Sequence, residues 1–291
     1  MVGIDSMGPP HAAGKEANLR AAQEARDFRL VRLDITTARD SDLLAALDGA
    51  DLLFHLAGQP GVRDSWGPAF VQYTRRNVEA TQKLLELSRQ LRLKRFVFAS
   101  TSSVYGRGRL PMREDDPPAP VSPYGLTKLA AEHLCRIYAQ TFGVPAVIVR
   151  YFTVYGPRQR PDMAFSRFMG KIRAREPITL YAHGTLQRDF TFVSDAVAGT
   201  VLAAEHGRVG EAYNIGSGRR HTLRHTVHAL EQVMGQPVAV TFSAETPPGD
   251  MPETLADIAK AREHLGYAPR VELAEGLRRQ VQWSDVPAGG E

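Results

Sequence analysis

The sequence predicts an α/β fold in which a parallel sheet is covered by helices on both faces. Three observations predict it. Short apolar runs alternate with helical patterns through the first half of the chain. Those runs are nearly continuous in apolar residues, as strands buried on two faces are. Residues capable of chemistry collect just after them, where open α/β sheets bind ligands. At 291 residues, with 43% hydrophobic and 23% charged side chains, the chain can bury one large or two modest cores.

The elements follow in order. MVGID reads as the end of a strand, and FRLVRLDI, DLLFHLAG, RFVFAS and PAVIVRYF as the strands after it. FVQYTRRNVEATQKLLELSRQL and SPYGLTKLAAEHLCRIYAQTF carry helical periodicity, predicting helices over Phe70–Leu91 and Pro123–Phe142. Beyond Tyr151 the pattern loosens into loops rich in Pro, Arg and Gly (YGPRQRPDM, YAHGTLQRDF, ETPPGDMPE). Helices are expected around Phe165–Arg175, Asp195–Glu205, Leu223–Met234 and Leu273–Trp283. A sheet domain over 1–151 is therefore expected beside a smaller region over 152–291, with 189–216 returning to the first domain because AYNIGSG reads as another of its strands. There is no internal repeat.

Composition narrows the function classes. No apolar run approaches the roughly 18 residues of a membrane helix, and no basic stretch followed by an apolar one opens the chain, so a cytoplasmic location is the expectation. The single cysteine, Cys135, lies on the apolar side of a helical pattern and reads as core. The net charge of +4 is spread over single residues and pairs such as Arg75-Arg76, Arg219-Arg220 and Arg278-Arg279. That is a solvated surface rather than a nucleic-acid stripe, and it also suits a phosphate-bearing small substrate. His221, His225 and His228 are expected on one side of a helix, but no acid or cysteine completes a site, so no metal is expected.

Tyr124 and Lys128 sit four apart at a helix start, one turn apart on one face. A free phenol has a pKa near ~10, and a neighbouring ammonium lowers it, so this spacing suits a general base. The pattern is short, and a surface tyrosine beside a solvated lysine also satisfies it. Context adds to it: RFVFAS is followed by the hydroxyl-rich turn TSSVYG, where Thr101 is placed to hydrogen-bond a substrate oxygen while Tyr124 takes its proton.

From these residues the chain resembles the extended short-chain dehydrogenase/reductase family, and within it the nucleotide-sugar 4-epimerases. HLAGQPGVRDSW, NVEATQKLLE, FASTSSVYG, SPYGLTKLAAE, RYFTVYGPRQRPDM, RDFTFVSD, YNIGSG and PGDMPETLADIAKA follow one another in family order over nearly the whole chain. The resemblance implies a Rossmann-like doubly wound NAD-binding domain with a smaller C-terminal substrate domain. It also implies a mechanism: Tyr124 removes the C4 hydroxyl proton while the C4 hydride passes to NAD, Thr101 shares that hydrogen bond, and Lys128 holds the nicotinamide ribose. The 4-keto sugar turns over and is reduced on its other face. Ser102 and Ser103 are alternatives to Thr101, which matches the family hydroxyl by lying four residues before Tyr105. Related dehydratases carry acids after the threonine and related decarboxylases a Glu before VYG. Here Ser102 and Ser103 stand there, which favours epimerisation.

Further roles are implied by the resemblance alone. Asp34, Ala57, Gly58, Asn77 and Ser100 match positions around the cofactor, Arg188 a diphosphate ligand and Asp250 a nucleotide contact. Ser102 and Thr153 fall on the substrate side. Glucose epimerases usually carry Asn where Thr153 stands, whereas glucuronate epimerases share the Thr and the RPDM stretch. Arg160 is suited to pair with a C6 carboxylate in the bidentate geometry guanidinium favours. UDP-glucuronate is thus the expected substrate, with UDP-glucose or a UDP-N-acetylhexosamine as the rival and a non-catalytic nucleotide-binding protein as the rival from another class. The two long helices pair across a two-fold axis in proteins of this kind, so a homodimer is expected.

One fingerprint is missing. A dinucleotide fold places a glycine-rich turn after its first strand, with an acidic ribose ligand about 20 residues on. Gly106-Arg107-Gly108 and Gly216-Ser217-Gly218 lack the third glycine and the following helix, while Asp5 in VGID matches the acidic residue. The first strand, the turn and most of the first helix are therefore expected upstream of Met1, and weak NAD binding is expected without them.

Overall fold

The computed structural model describes residues 1–8, 12–24 and 27–285. The first half contains β1 (Val2–Asp5), α1 (Ala12–Gln23), β2 (Arg29–Arg32), α2 (Asp40–Leu47), β3 (Leu52–His55), α3 (Phe70–Tyr73), α4 (Ala80–Ser88), β4 (Arg95–Thr101), α5 (Pro123–Phe142) and β5 (Ala146–Tyr151). After them come β6 (Thr153–Tyr155), α6 (Ala164–Ala174), β7 (Ile178–Leu180), β8 (Gln187–Phe192), α7 (Val193–His206), β9 (Ala212–Ile215) and β10 (Arg220–Thr222). The chain continues through α8 (Leu223–Met234), β11 (Val240–Phe242), α9 (Ala259–Leu265) and α10 (Leu273–Asp285).

The central sheet has the order β3-β4-β5-β9, all parallel, with Phe98 opposite Ile148 and Val149 opposite Tyr213. Its continuous apolar strands are explained by two buried faces. Phe96, Phe98 and Ile148 point into one core with Leu84 and Leu85 of α4 and Ala131 and Cys135 of α5. Their neighbours Val97, Val147 and Val149 point into the other, against Ala203 and Ala204 of α7 and Leu265 of α9. Successive side chains alternate between faces, so every position of these strands must be apolar or fully partnered. Cys135 is buried and free.

β1 and β2 pair in parallel as a separate two-stranded section, and β1 is not hydrogen-bonded to β3 among the described residues. A single unbroken parallel sheet is therefore not what the chain forms here. On β3, Leu52 and Phe54 keep 43% and 39% of their surface exposed. The later half builds a third core, in which Tyr155, Phe165, Ile178, Phe190, Phe192 and Leu277 meet. Two small sheets, β10-β8-β6 and β11-β7, frame it.

The expected helix over Phe70–Leu91 differs in one respect. Between α3 and α4, residues Thr74–Glu79 form a π-helix, closed by Ala80 N–H donating to the Arg75 carbonyl. A π-turn inserts one residue, and such turns concentrate at functional sites. The histidine cluster also differs, since His221 lies on β10 and only His225 and His228 lie on α8. Thr222 caps that helix by accepting from His225 N–H, so the chain is still extended at His221. His221 stacks on His225 with ring centroids 5.2 Å apart.

Candidate active site

The site forms where β4 ends and α5 begins. β4 delivers Thr101 at its last position, and a 3-10 turn over Ser102–Val104 follows. Thr101 caps that turn by accepting from Ser103 N–H at 3.2 Å. Ser122 caps α5, accepting from Gly125 N–H at 3.1 Å, and Pro123 occupies the first turn, where its missing N–H costs nothing. Gly125 is required at the contact: a Cβ there would lie 2.5 Å from the Ser103 carbonyl oxygen. This close approach presses the helix start onto the turn and sets the Tyr124 hydroxyl against Thr101.

The electrostatics of Tyr124 differ from the sequence expectation. Burial pushes its phenol above the ordinary value, while the Thr101 hydroxyl and the Arg160 charge work against that rise. The Lys128 ammonium, one turn on, donates to the Ala99 carbonyl at 2.6 Å. Burial draws Lys128 down to about 8, and the Glu132 carboxylate one turn on opposes it.

Asn77, fully buried, lies within the π-turn. Its Oδ1 accepts from Gln59 N–H at 2.7 Å, and its Nδ2 donates to the Gln59 carbonyl and to Thr127 Oγ1, both at 3.0 Å. The loop after β3 is thereby tied to α5. Ala57 and Gly58 face solvent on that loop. A Cβ on Gly58 would lie 2.8 Å from Asn77 Oδ1 and 3.4 Å from Lys128 Nζ. Exposed backbone at Ala57 and Gly58, with Asn77 and Lys128 close to Gly58, suits a nucleotide cofactor laid along the strand ends.

The other expected residues are distributed around this centre. Asp5 accepts from Met7 N–H and pairs with Lys15 at 2.8 Å. Asp34 accepts from the Thr36 hydroxyl at 2.6 Å, which holds its carboxyl below the usual range. The Ser100 hydroxyl donates to buried Glu132 at 2.5 Å, which leaves its backbone for a cofactor. Ser102 is buried in the turn after β4, and Thr153 lies opposite Phe190 in the β6–β8 pairing. Arg188 on β8 feels the Asp250 charge, and Asp250 pairs with Arg63 at 2.8 Å, joining the loop after β3 to the loop before α9. Arg160, expected to face a ligand carboxylate, is bound by Asp162 through two hydrogen bonds.

Several residues of this region escaped sequence reasoning. Glu132 and Arg150 form a buried ion pair, with Nε to Oε1 at 2.9 Å and Nη2 to Oε2 at 2.7 Å. The Arg150 guanidinium also lies 4.7 Å from the Tyr105 ring centroid. The pair joins α5 to β5 and, through Ser100, to β4. Buried Asp189, beside Arg188, accepts from Ser217 N–H, Gly218 N–H and Ala256 N–H. It fixes the loop after β9 against β8. An arginine inside the apolar run AVIVRY, and a glutamate four residues after Lys128, were the signals that could have identified the pair.

Comparison with known proteins places this geometry. The model of the NAD dependent epimerase/dehydratase family matches residues 2–216. The chain belongs to that family. It is 41% identical to an uncharacterized UDP-glucose epimerase, YtcB, of Bacillus subtilis, covering 100% of this chain and 92% of that one. It is 33% identical to a UDP-glucuronate 4-epimerase of Thermodesulfobacterium geofontis, over 98% of this chain and 88% of the relative. Among solved structures, the UDP-glucuronic acid 4-epimerase of Bacillus cereus in complex with UDP-glucuronic acid and NAD superposes with a TM-score of 0.92. It is 42% identical and covers 97% of this chain and 90% of the other. The Rossmann-type fold inferred from the apolar strands is therefore the fold of NAD-dependent enzymes that act on nucleotide sugars.

Proposed function

We propose that the protein is a UDP-glucuronate 4-epimerase that uses NAD. The observation that carries the reading is the convergence of Thr101, Tyr124 and Lys128 where β4 meets α5, within a family of NAD-dependent epimerases and dehydratases. When bound, NAD supplies a hydride acceptor and donor, so the net reaction inverts C4 without net oxidation.

The chain's own groups handle the proton and the orientation. Tyr124 accepts the C4 hydroxyl proton and returns it, and Thr101 shares the hydrogen bond that aligns that hydroxyl. Lys128, cationic below about pH 8, donates to the Ala99 carbonyl and presents its remaining N–H groups to the cofactor ribose. Asn77 holds the loop carrying Ala57 and Gly58 beside it. Asp5 and Asp34 stand at the adenosine end, Ser100 lines the strand end through its backbone, and Ser102 and Thr153 border the sugar. Arg188 and Asp250 hold the nucleotide diphosphate side. Arg160 faces the C6 carboxylate, and its positive charge already reaches Tyr124. Neither Ser102 nor Ser103 provides the acid that elimination needs, which argues against dehydration.

The domain boundary follows the same reading: 1–151 carry the cofactor side, 152–291 mainly the substrate side, and 189–216 return, since β9 pairs with β5. A homodimer is supported by apolar side chains left in solvent near α3 and along α5, among them Trp66, Val71, Leu126 and Ile137. The deciding experiment incubates the protein and NAD with UDP-glucuronate, UDP-glucose and UDP-N-acetylglucosamine and analyses the products. Interconversion of UDP-glucuronate and UDP-galacturonate supports the reading, and turnover of UDP-glucose alone overturns the choice of substrate.

A further inference from the structure

Arg160 is gripped along one edge of its guanidinium. Nε donates to Asp162 Oδ1 at 3.1 Å and Nη2 to Asp162 Oδ2 at 2.8 Å, with Met163 Sδ 3.6 Å from Nη2. A guanidinium carries five N–H donors in a flat fork. The side-on grip uses Nε and one N–H of Nη2, and the other N–H of Nη2 donates to Met163 Sδ, a weak acceptor that a carboxylate oxygen would displace; with Nη1 this makes the end-on edge a two-donor fork for a second carboxylate.

The position of the pair makes this edge relevant. The Arg160 charge reaches the phenols of both Tyr124 and Tyr73, whose ring centroids lie 6.2 Å apart at the candidate site. The loop beneath it is fixed. Gln159 Oε1 accepts from Ser166 N–H and from Gln280 Nε2, and Met163 N–H donates to the Arg160 carbonyl at 3.1 Å. The pair contributes little to folding: with Arg160 and Asp162 side chains 34% and 47% exposed, solvent screens it. Its effect falls on the conformation of Arg160, a long side chain that would otherwise have to be ordered by each arriving ligand.

We propose that Asp162 is a positioning residue that locks Arg160 side-on, so that its end-on edge meets the carboxylate of a uronic-acid substrate; the inference rests on the reading of Arg160 given above. Asp162 touches neither substrate nor cofactor in this arrangement. It sets the preference for a carboxylate at C6 over a hydroxymethyl group by presenting a pre-oriented fork.

The test is calorimetric titration of the NAD-supplemented protein with UDP-glucuronate and with UDP-glucose, for wild type, Asp162→Ala, Asp162→Asn, Asp162→Glu, Arg160→Ala and the Asp162→Ala/Arg160→Ala double variant. Asp162→Ala is expected to weaken UDP-glucuronate about tenfold while UDP-glucose changes less than about twofold. Asp162→Asn is expected to fall between, and Asp162→Glu to recover part of the loss. In the Arg160→Ala background, Asp162→Ala should have no further effect. Unchanged UDP-glucuronate affinity in Asp162→Ala overturns the proposal, and tighter binding overturns it by making Asp162 a competitor for Arg160. The underlying reading fails separately: if Arg160→Ala leaves the ratio of the two affinities at its wild-type value, Arg160 does not read the carboxylate at all.

Discussion

Glu132→Gln tests whether the buried pair holds the site together. Glu132 and Arg150 are 0% and 1% exposed, and the carboxylate accepts from Ser100 Oγ, Arg150 Nε and Arg150 Nη2 within 2.9 Å. Glutamine keeps the shape but turns one acceptor into a donor facing the guanidinium, leaving a buried cation without its counter-charge. Removing one member of such a pair costs about 3–5 kcal/mol. For a chain of this length each kcal/mol lowers the melting temperature by roughly 2 °C, so the variant should melt about 6–10 °C below wild type. The double variant Glu132→Leu/Arg150→Met removes both charges and should recover most of that loss, because apolar groups of similar volume replace a buried pair at little net cost. Its activity should stay low, since α5 has then lost the hydrogen bonds of Glu132 to Ser100 on β4 and Arg150 on β5. Melting followed by near-ultraviolet circular dichroism, with initial rates on the same samples, reads both quantities. A single variant melting within about 2 °C of wild type, or a double variant as unstable as the single one, would refute the reasoning.

Tyr124→Phe should lower epimerisation by at least about 10³-fold while substrate affinity stays within a few-fold, because only the proton acceptor is lost; measurable turnover by product analysis would place the base elsewhere. His55 is buried with its Nε2 2.9 Å from the Thr81 hydroxyl, and burial, aided by the Lys128 charge, draws it down to about 3. As pH falls through 6.5 the unfolded chain takes up this proton and the folded one does not, so stability declines from there towards pH 3, by about 2–3 kcal/mol at pH 4.5. His55→Gln should lose less stability than wild type between pH 7 and 4.5 in urea titrations, and equal losses would refute the assignment. Light scattering at micromolar concentration should give the mass of a dimer, and the substitution Leu126→Glu on the exposed face of α5 should shift it towards the monomer; a monomeric wild type contradicts the proposed interface.

What the sequence made readable was local. The central strands could be read because burial on two faces leaves no polar position for the eye to misplace, and α5 because Ser122, Pro123 and the Tyr124–Lys128 spacing all lie within one stretch of chain. Thr101 was picked out from Ser102 and Ser103 by the resemblance, since it lies four residues before Tyr105 as the family hydroxyl does. Features that depend on distant partners were not readable. Asn77 was named by the resemblance, but the π-turn in which it sits was not legible, because its extra residue leaves a 3.6-residue periodicity looking unbroken. The Arg63–Asp250 pair joins positions 187 residues apart, and no spacing rule reaches that far. The direction of the Tyr124 shift was hidden for a related reason: the four-residue spacing puts Lys128 on the same helix face, but burial by residues distant in sequence is the larger effect and raises the phenol.

Arg150 shows how such a failure could be turned into a reading. A strand that must be apolar at every position, because both faces are buried, cannot carry an arginine unless some other element supplies a carboxylate. AVIVRY therefore announces a buried acid elsewhere in the chain. The partner must lie on an element packed against that strand, at a level near its C-terminal end, and α5 is the long helix immediately before it. On α5 the only acidic residue is Glu132, one turn beyond Lys128. A charge in the wrong environment thus points to its partner across the fold, and here that partner carries the helix on which Tyr124 and Lys128 stand. The same reasoning, applied to Asp189 inside RDFTF on β8, calls for donors from a neighbouring loop, which Ser217, Gly218 and Ala256 supply. Charged residues inside apolar runs are therefore the positions from which long-range site architecture can be inferred before a structure is known.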